Sequence, residues 1–153
     1  MIEDKISIII PLFNRADSIA ATLDSLQQQS DKLWECIIVD DGSTDASGLV
    51  VEQYAYTDLR IRIVQRPDAL PKGPNSCRNY GFSLSRGVLV YWLDSDDVLL
   101  PEALARYRTA FQPETEVVIA PLLKVAADTG EVLEQNTIVS NNLTEDYFTG
   151  VVS

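Results

Sequence analysis

One repeated unit constrains this chain more than anything else: a short run of β-branched and other apolar residues, then a polar cluster, then apolar residues at helical spacing. The first run, Ile6-Ser7-Ile8-Ile9-Ile10, suits a buried parallel strand, and Pro11, which cannot donate to a ladder, is expected to end it. Residues 16–29 then place Ile19, Leu23 and Leu26 on one helical face, with Asp17 or Ser18 positioned to cap it. Residues 35–40 repeat the strand, and Asp41-Gly42-Ser43-Thr44-Asp45 supplies turn and cap before a helix holding Leu49 and Tyr54. A third strand spans 61–65. The connection 66–74, with three prolines and a glycine, reads as an exposed loop leading into a helix over about 75–85. A fourth strand over 88–93 is ended by Asp94-Ser95-Asp96-Asp97, and Pro101 opens a helix with Leu104, Tyr107 and Phe111. An apolar strand over 116–125 and a turn at Asp128-Thr129-Gly130 into a strand near Val132 shift the pattern toward antiparallel pairing. The alternation implies an α/β fold: a mostly parallel sheet flanked by helices on both faces, with ligands expected outside the carboxyl ends of the strands.

A chain of 153 residues, 46% apolar, can bury one core, so residues 1–153 are read as a single domain. The 12 Lys and Arg residues against 23 Asp and Glu leave a formal charge of −11, which repels phosphate backbones and anionic lipid surfaces. Nucleic acid is therefore not an expected partner. A divalent cation held by carboxylates would invert that charge locally and admit an anionic substrate. The chain has no His, and Cys36 and Cys77 lack CxxC spacing, which excludes zinc fingers, Cys-His nucleophiles and Ser-His triads from this segment. Two buried thiols are expected instead. With neither a signal-like leader nor an apolar run of membrane-spanning length, the chain is expected to be cytoplasmic, or peripheral at the inner membrane face as part of a longer protein.

The chemistry is expected at three strand ends: Pro11-Leu12-Phe13-Asn14, Asp40-Asp41-Gly42-Ser43 and Asp94-Ser95-Asp96-Asp97. Taken singly, Asp40, Asp45 and Asp97 are ordinary turn and cap residues. Two separate acidic strand ends on one edge of a sheet, however, are costly to desolvate unless they are solvated, paired or metal-bound, and together they suggest a site. Strand alternation would put Asp94 and Asp96 on a common face with Ser95 turned away. Two such carboxylates suit Mg2+ or Mn2+, hard cations that keep coordination positions for substrate phosphates.

The segments IIIPLFN, IIVDDGSTD, GPNSCRNYG and YWLDSDD resemble, in order and approximate spacing, the bacterial glycosyltransferase family 2, over about the first 110 residues. The resemblance implies a Rossmann-like GT-A fold that binds a nucleoside-diphosphate sugar with Mn2+ or Mg2+ and inverts the anomeric carbon. By the same resemblance Pro11, Phe13 and Asn14 form the first loop against the nucleoside, and Asp41 corresponds to the acid that reads the uracil edge in uridine-nucleotide members. Phe13 as ordinary core is the competing role. Arg78 lies in a stretch similar to the family's Ala-Arg-Asn-x-x-Gly, with Cys77 in place of the usual small residue; it is expected either at the nucleotide or paired with an acid such as Asp41. Asp94-Ser95-Asp96 matches the family's Asp-x-Asp, with Asp96 as the primary metal ligand and Asp94 nearer the ribose or the metal's waters.

The family's catalytic base is a Glu-Asp type motif well downstream, in the acceptor half. Glu145-Asp146 matches it only as a dipeptide, and these acids are expected in the first turn of a helix capped by Thr144. The base is thus expected beyond Ser153, and the chain is expected to be a donor-binding portion cut before the acceptor half. The acceptor, whether carbohydrate, lipid-linked or protein, is not legible. A nucleotide-sugar-binding module without turnover is the main alternative. A receiver-type magnesium-binding domain is more distant, because its acidic pair would follow the first strand, and a dinucleotide oxidoreductase is disfavoured by the absence of glycine after that strand.

Overall fold

The computed structural model describes residues 5–111, 122–125 and 132–136. The chain divides into two compact units, Met1–Arg108 and Thr109–Ser153. In the first, β1 (Ile6–Leu12), β2 (Trp34–Asp40), β3 (Ile61–Gln65) and β4 (Leu89–Trp92) form one sheet in the order β3-β2-β1-β4, with every pair parallel. Between them lie α1 (Ile19–Gln27), α2 (Ser47–Thr57) and α3 (Pro74–Leu84), and α4 (Ala103–Ala110) follows β4. In the second unit, β5 (Leu122–Val125) pairs antiparallel with β6 (Val132–Asn136), as the turn signal at Asp128-Thr129-Gly130 predicts. The rest of the expected strand over 116–125, and the expected helix at Thr144, lie outside the described residues.

The sheet is covered on both faces, as its strand composition requires. Ile6, Ile8, Ile10 and Leu12 of β1 pack with Cys36 and Ile38 of β2 beneath Ile19, Leu23 and Leu26 of α1, Val51 of α2 and Leu104 of α4. Ile37 and Val39 meet Cys77, Tyr80 and Leu84 of α3 on the opposite face. Both cysteines are buried free thiols, as expected, and burial pushes the pKa of Cys77 up to about 11.

Pro11 does not end β1, which continues to Leu12. Alternation explains why. Leu12 accepts from Asp41 on the β2 side, whereas Ile9 accepts from Leu93 on the β4 side, so Pro11 faces the side on which β4 pairs only as far as Trp92 opposite Ile9. The missing N–H therefore costs no ladder bond. Helix α1 begins at Ile19 rather than 16: Arg15 accepts from the N–H groups of Ser18 and Ile19 in a preceding turn. Ser18 is at the N-cap position, but its hydroxyl donates to the Ser95 carbonyl (3.3 Å) instead of capping. Helix α4 begins at Ala103, two residues after Pro101. Buried Gln29 braces its start, donating to the Leu100 carbonyl (2.8 Å) and accepting from the Leu104 N–H (3.0 Å).

Candidate functional site

β1 is the first strand, yet β2 and β3 lie on one side of it and β4 on the other. That reversal splays the loops after β1 and β4 apart and opens a crevice at the carboxyl ends of the strands. A cleft of about 390 Å³ lies there. β1 and its loop contribute Pro11, Leu12, Phe13 and Arg15; the end of β2 contributes Asp41; α3 contributes Pro74, Cys77 and Arg78; the segment after β4 contributes Asp94, Ser95 and Asp96.

The loops after β1 and β2 are laced together. Asn14 has φ 50°, a left-handed conformation that Asn tolerates better than most residues, and its side-chain oxygen accepts from the Thr44 N–H (2.8 Å). Its own N–H donates to Ser43 Oγ (3.1 Å), the Arg15 N–H donates to Ser47 Oγ (2.7 Å), and the Ala16 N–H donates to Asp45 (3.1 Å). The Ser47 hydroxyl, with the N–H groups of Ser47 and Ala16, holds the Asp45 carboxyl below its ordinary pKa. Asn14 thus positions the loop and is not part of the cleft lining, unlike its neighbours Phe13 and Arg15. Phe13 is 43% exposed, with the Lys72 ammonium 4.3 Å from its ring centroid, so it is not a core residue.

Asp40 and Asp41 divide their work. Asp40 is a turn residue, accepting from the Ser43 N–H (2.8 Å), the Ser43 hydroxyl (2.6 Å) and Gln65 (3.0 Å). Asp41, also buried, reaches the cleft and holds both ends of the connection 66–74: one oxygen pairs with Arg66, the other accepts from the Gly73 N–H at 2.9 Å. Arg66 also donates to the Pro67 (2.7 Å) and Leu70 (2.5 Å) carbonyls, so it organises the loop it begins.

Arg78 pairs with Asp94 (2.6 Å) rather than with Asp41, whose guanidinium partner is Arg66, and it donates to Asn75 (3.1 Å). On the facing wall Arg15 Nε lies 3.5 Å from Asp96. Asp94 and Asp96 share the cleft, but a turn closed by the Asp97 N–H on the Asp94 carbonyl (3.2 Å) brings them there, since β4 ends at Trp92. Pleat alternation therefore does not apply, and Ser95 lines the cleft with them. Its carbonyl is anchored by the hydroxyls of Ser18 and Thr22 (3.2 Å). Burial, then the charges of Asp94 and Asp96, raise the pKa of Asp97. Arg15 and Arg66 escape a motif-by-motif reading; their signal was position, one inside the first strand-end cluster and the other directly after β3.

The cleft's residues extend over the segments that carry the resemblance, and a family model for glycosyl transferase family 2 matches residues 7–149. The chain belongs to glycosyltransferase family 2. It is similar to the putative glycosyltransferase EpsH of Bacillus subtilis, 30% identical over 131 residues that are 86% of this chain and 37% of that protein. The structure of residues 1–349 of TarS from S. aureus in complex with UDP-GlcNAc has 32% sequence identity and a TM-score of 0.63, over 69% of this chain and 30% of that one. Glucosyl-3-phosphoglycerate synthase from Mycobacterium tuberculosis, in complex with Mn2+ and uridine-diphosphate-glucose, has 25% identity and a TM-score of 0.54, over 63% of this chain and 34% of that one. The GT-A fold expected from sequence is the fold observed. The chain spans between 14% and 38% of the length of eight curated relatives it matches. Among the described residues no helix is long and apolar enough to cross a membrane.

Proposed function

We propose that this chain carries the donor-binding cleft of an inverting glycosyltransferase that takes its sugar from a nucleoside diphosphate, uridine diphosphate before the others. The observation that supports this reading is the two-ended cleft at the strand switch: Phe13 and Pro11 beside buried Asp41 at one end, the acidic turn with Arg15 and Arg78 at the other. An apolar wall suits a base ring. Arg66 and the Gly73 N–H engage one oxygen of Asp41 each, and each oxygen has a further lone pair with which to accept an imide proton from uracil. Arg78 would supply planar donors for nucleotide oxygens, and Asp94, its partner at 2.6 Å, would take the ribose or the metal's waters.

The acidic turn also fits a divalent cation. Asp94 and Asp96 are hard oxygen donors, two residues apart, with side chains 55% and 53% exposed. Two carboxylates suffice where substrate phosphates complete the coordination of Mg2+ or Mn2+. Asp96 would be the primary ligand with Asp94 beside it, and the ion would supply charge stabilisation for the departing diphosphate. The base that deprotonates the acceptor hydroxyl is proposed to come from outside this cleft, and the acceptor to be a carbohydrate, lipid-linked or protein hydroxyl.

The test is thermal unfolding with uridine, guanosine, thymidine and cytidine diphosphates, each with Mn2+ and with chelator. Ligand at about 100 times its Kd should add about 2.7 kcal/mol of stability. Uridine diphosphate with Mn2+ is expected to stabilise most. Equal stabilisation with and without metal would remove the metal from this reading, and no stabilisation by any nucleotide would remove the reading itself. Incubation with radiolabelled nucleotide sugar and cell extract separates a turning-over chain from a binding module; robust transfer would place the base within the chain, with Asp97, Glu145 and Asp146 the first to substitute.

A further inference from the structure

Resting on that reading of the cleft, we infer that Arg15 is a diphosphate-binding residue held in waiting on Asp96, and that ligand binding exchanges the Arg15–Asp96 pair for an Arg15–diphosphate pair. A nucleoside diphosphate places most of its charge away from the base, yet the cleft lining carries three acids, Asp41, Asp94 and Asp96, against two cationic side chains, Arg15 and Arg78. The Arg66 guanidinium already compensates Asp41. Among the lining side chains, the cations open to phosphate oxygens are therefore Arg15 and Arg78, which pair with the two acids of the turn, Asp96 and Asp94.

The two arginines are not held alike. Arg78 is engaged at 2.6 Å with Asp94 and is supported by Asn75 on its own helix. Arg15 has a looser contact, 3.5 Å to Asp96, and a 3.3 Å donation to the Asn14 carbonyl; both side chains of its ion pair are about half exposed. An exposed pair of that length contributes little, so giving it up costs little. The backbone under Arg15 is fixed, its N–H on Ser47 Oγ at 2.7 Å and both neighbours tied to the loop after β2. A rigid stem with a weakly committed head suits a side chain that must turn from one anion to another. The same exchange uncovers Asp96 when the proposed cation needs it.

The exchange makes two predictions of opposite sign for Arg15→Ala. Calorimetric titration with uridine diphosphate and Mn2+ should show roughly tenfold to hundredfold weaker binding, the usual scale for a lost charge-assisted hydrogen bond, while binding of uridine, which has no phosphate, stays unchanged. Titration of the protein with Mn2+ alone, followed by electron paramagnetic resonance, should show tighter binding, because Asp96 has lost its competing guanidinium. Arg15→Lys should recover part of the diphosphate affinity. If uridine and uridine diphosphate weaken together, or Mn2+ binding falls with the nucleotide, Arg15 acts on loop structure and the inference is overturned. Wild-type protein that binds no nucleotide defeats the parent reading and this one with it; wild-type binding with an unaffected Arg15→Ala variant defeats this one alone.

Discussion

Gly81→Ala tests how α3 is seated, and through it how the cleft is held. A Cβ added at Gly81 would lie 2.5 Å from Ile9 Cγ2 and 3.3 Å from Val39 Cγ2. Carbon atoms settle at about 3.5–4.0 Å, so about 1 Å of movement is required. Ile9 cannot supply it: the residue is fully buried on β1, between β2 and β4, and its methyl branches from a stiff χ1. Helix α3 must retreat instead. Overpacking costs about 1–3 kcal/mol, and the rigid neighbour places this case in the upper half, while Gly to Ala within a helix returns up to about 1 kcal/mol. The net expectation is a loss of about 1–2 kcal/mol, a Tm lower by roughly 4–10 °C for a unit of this size. Arg78 is one turn earlier on the same helix, so its hold on Asp94 should loosen and nucleotide affinity fall as well. The assay is urea unfolding of wild type, Gly81→Ala, Ile9→Ala and the double variant. Ile9→Ala alone opens a cavity costing about 2–5 kcal/mol and removes the methyl that a Gly81 Cβ would strike, so the overpacking cost drops out and the double variant's penalty falls short of the sum of the two by about 2–3 kcal/mol. Gly81→Ala as stable as wild type, or penalties that simply add, would refute the close-packing account.

Three further outcomes are expected. Asp31, between α1 and β2, has its pKa lowered chiefly by its hydrogen bond from Arg108 (2.6 Å); a depressed carboxyl contributes stability above its unfolded pKa and loses it as pH falls through the folded value, so wild type should exceed Asp31→Asn by about 1 kcal/mol at pH 7 and converge with it in acid, once the pH is below the ordinary carboxylate range. Asp41→Asn should both weaken discrimination among nucleotide bases in calorimetry and lower stability by about 1–3 kcal/mol, because Arg66 loses its carboxylate; intact base preference would leave Asp41 as a loop brace only. Neither thiol should react with iodoacetamide at pH 8 until the protein unfolds, since burial raises both pKa values, and rapid native-state labelling of Cys77 would contradict its placement.

Strand and helix existence was legible because each β-branched run ends in turn residues, and residues 61–65 matched to the residue. What sequence reading mislaid were consequences of neighbours. Pro11 reads as a stop until one sees that it faces the side where β4 has ended, a fact of register between strands some eighty residues apart. Ser18 reads as a cap until the Ser95 carbonyl arrives across the fold to take its hydroxyl. The acidic ends were legible as a group, and the family resemblance separated Asp41, which lines the cleft, from the turn residue Asp40; spacing alone could not, because the two differ only in which way a turn points them. Asn14 shows the same limit: polar and at a strand end, it spends its side-chain oxygen on Thr44, a partner that no spacing announces. The arginines were hardest, since a long side chain's partner is fixed by the opposite wall.

The lacing of residues 14–16 to residues 43–47 matters to anyone who would redesign this cleft. Four cross-links, from Asn14 to both Ser43 and Thr44, from Arg15 to Ser47 and from Ala16 to Asp45, make the two loops one transplantable part. Moving the first loop alone into a relative would leave its amide groups facing foreign partners, and the same holds for the second. A swap of donor preference between family members should therefore exchange both segments at once, and a library that varies one while freezing the other samples mostly broken scaffolds.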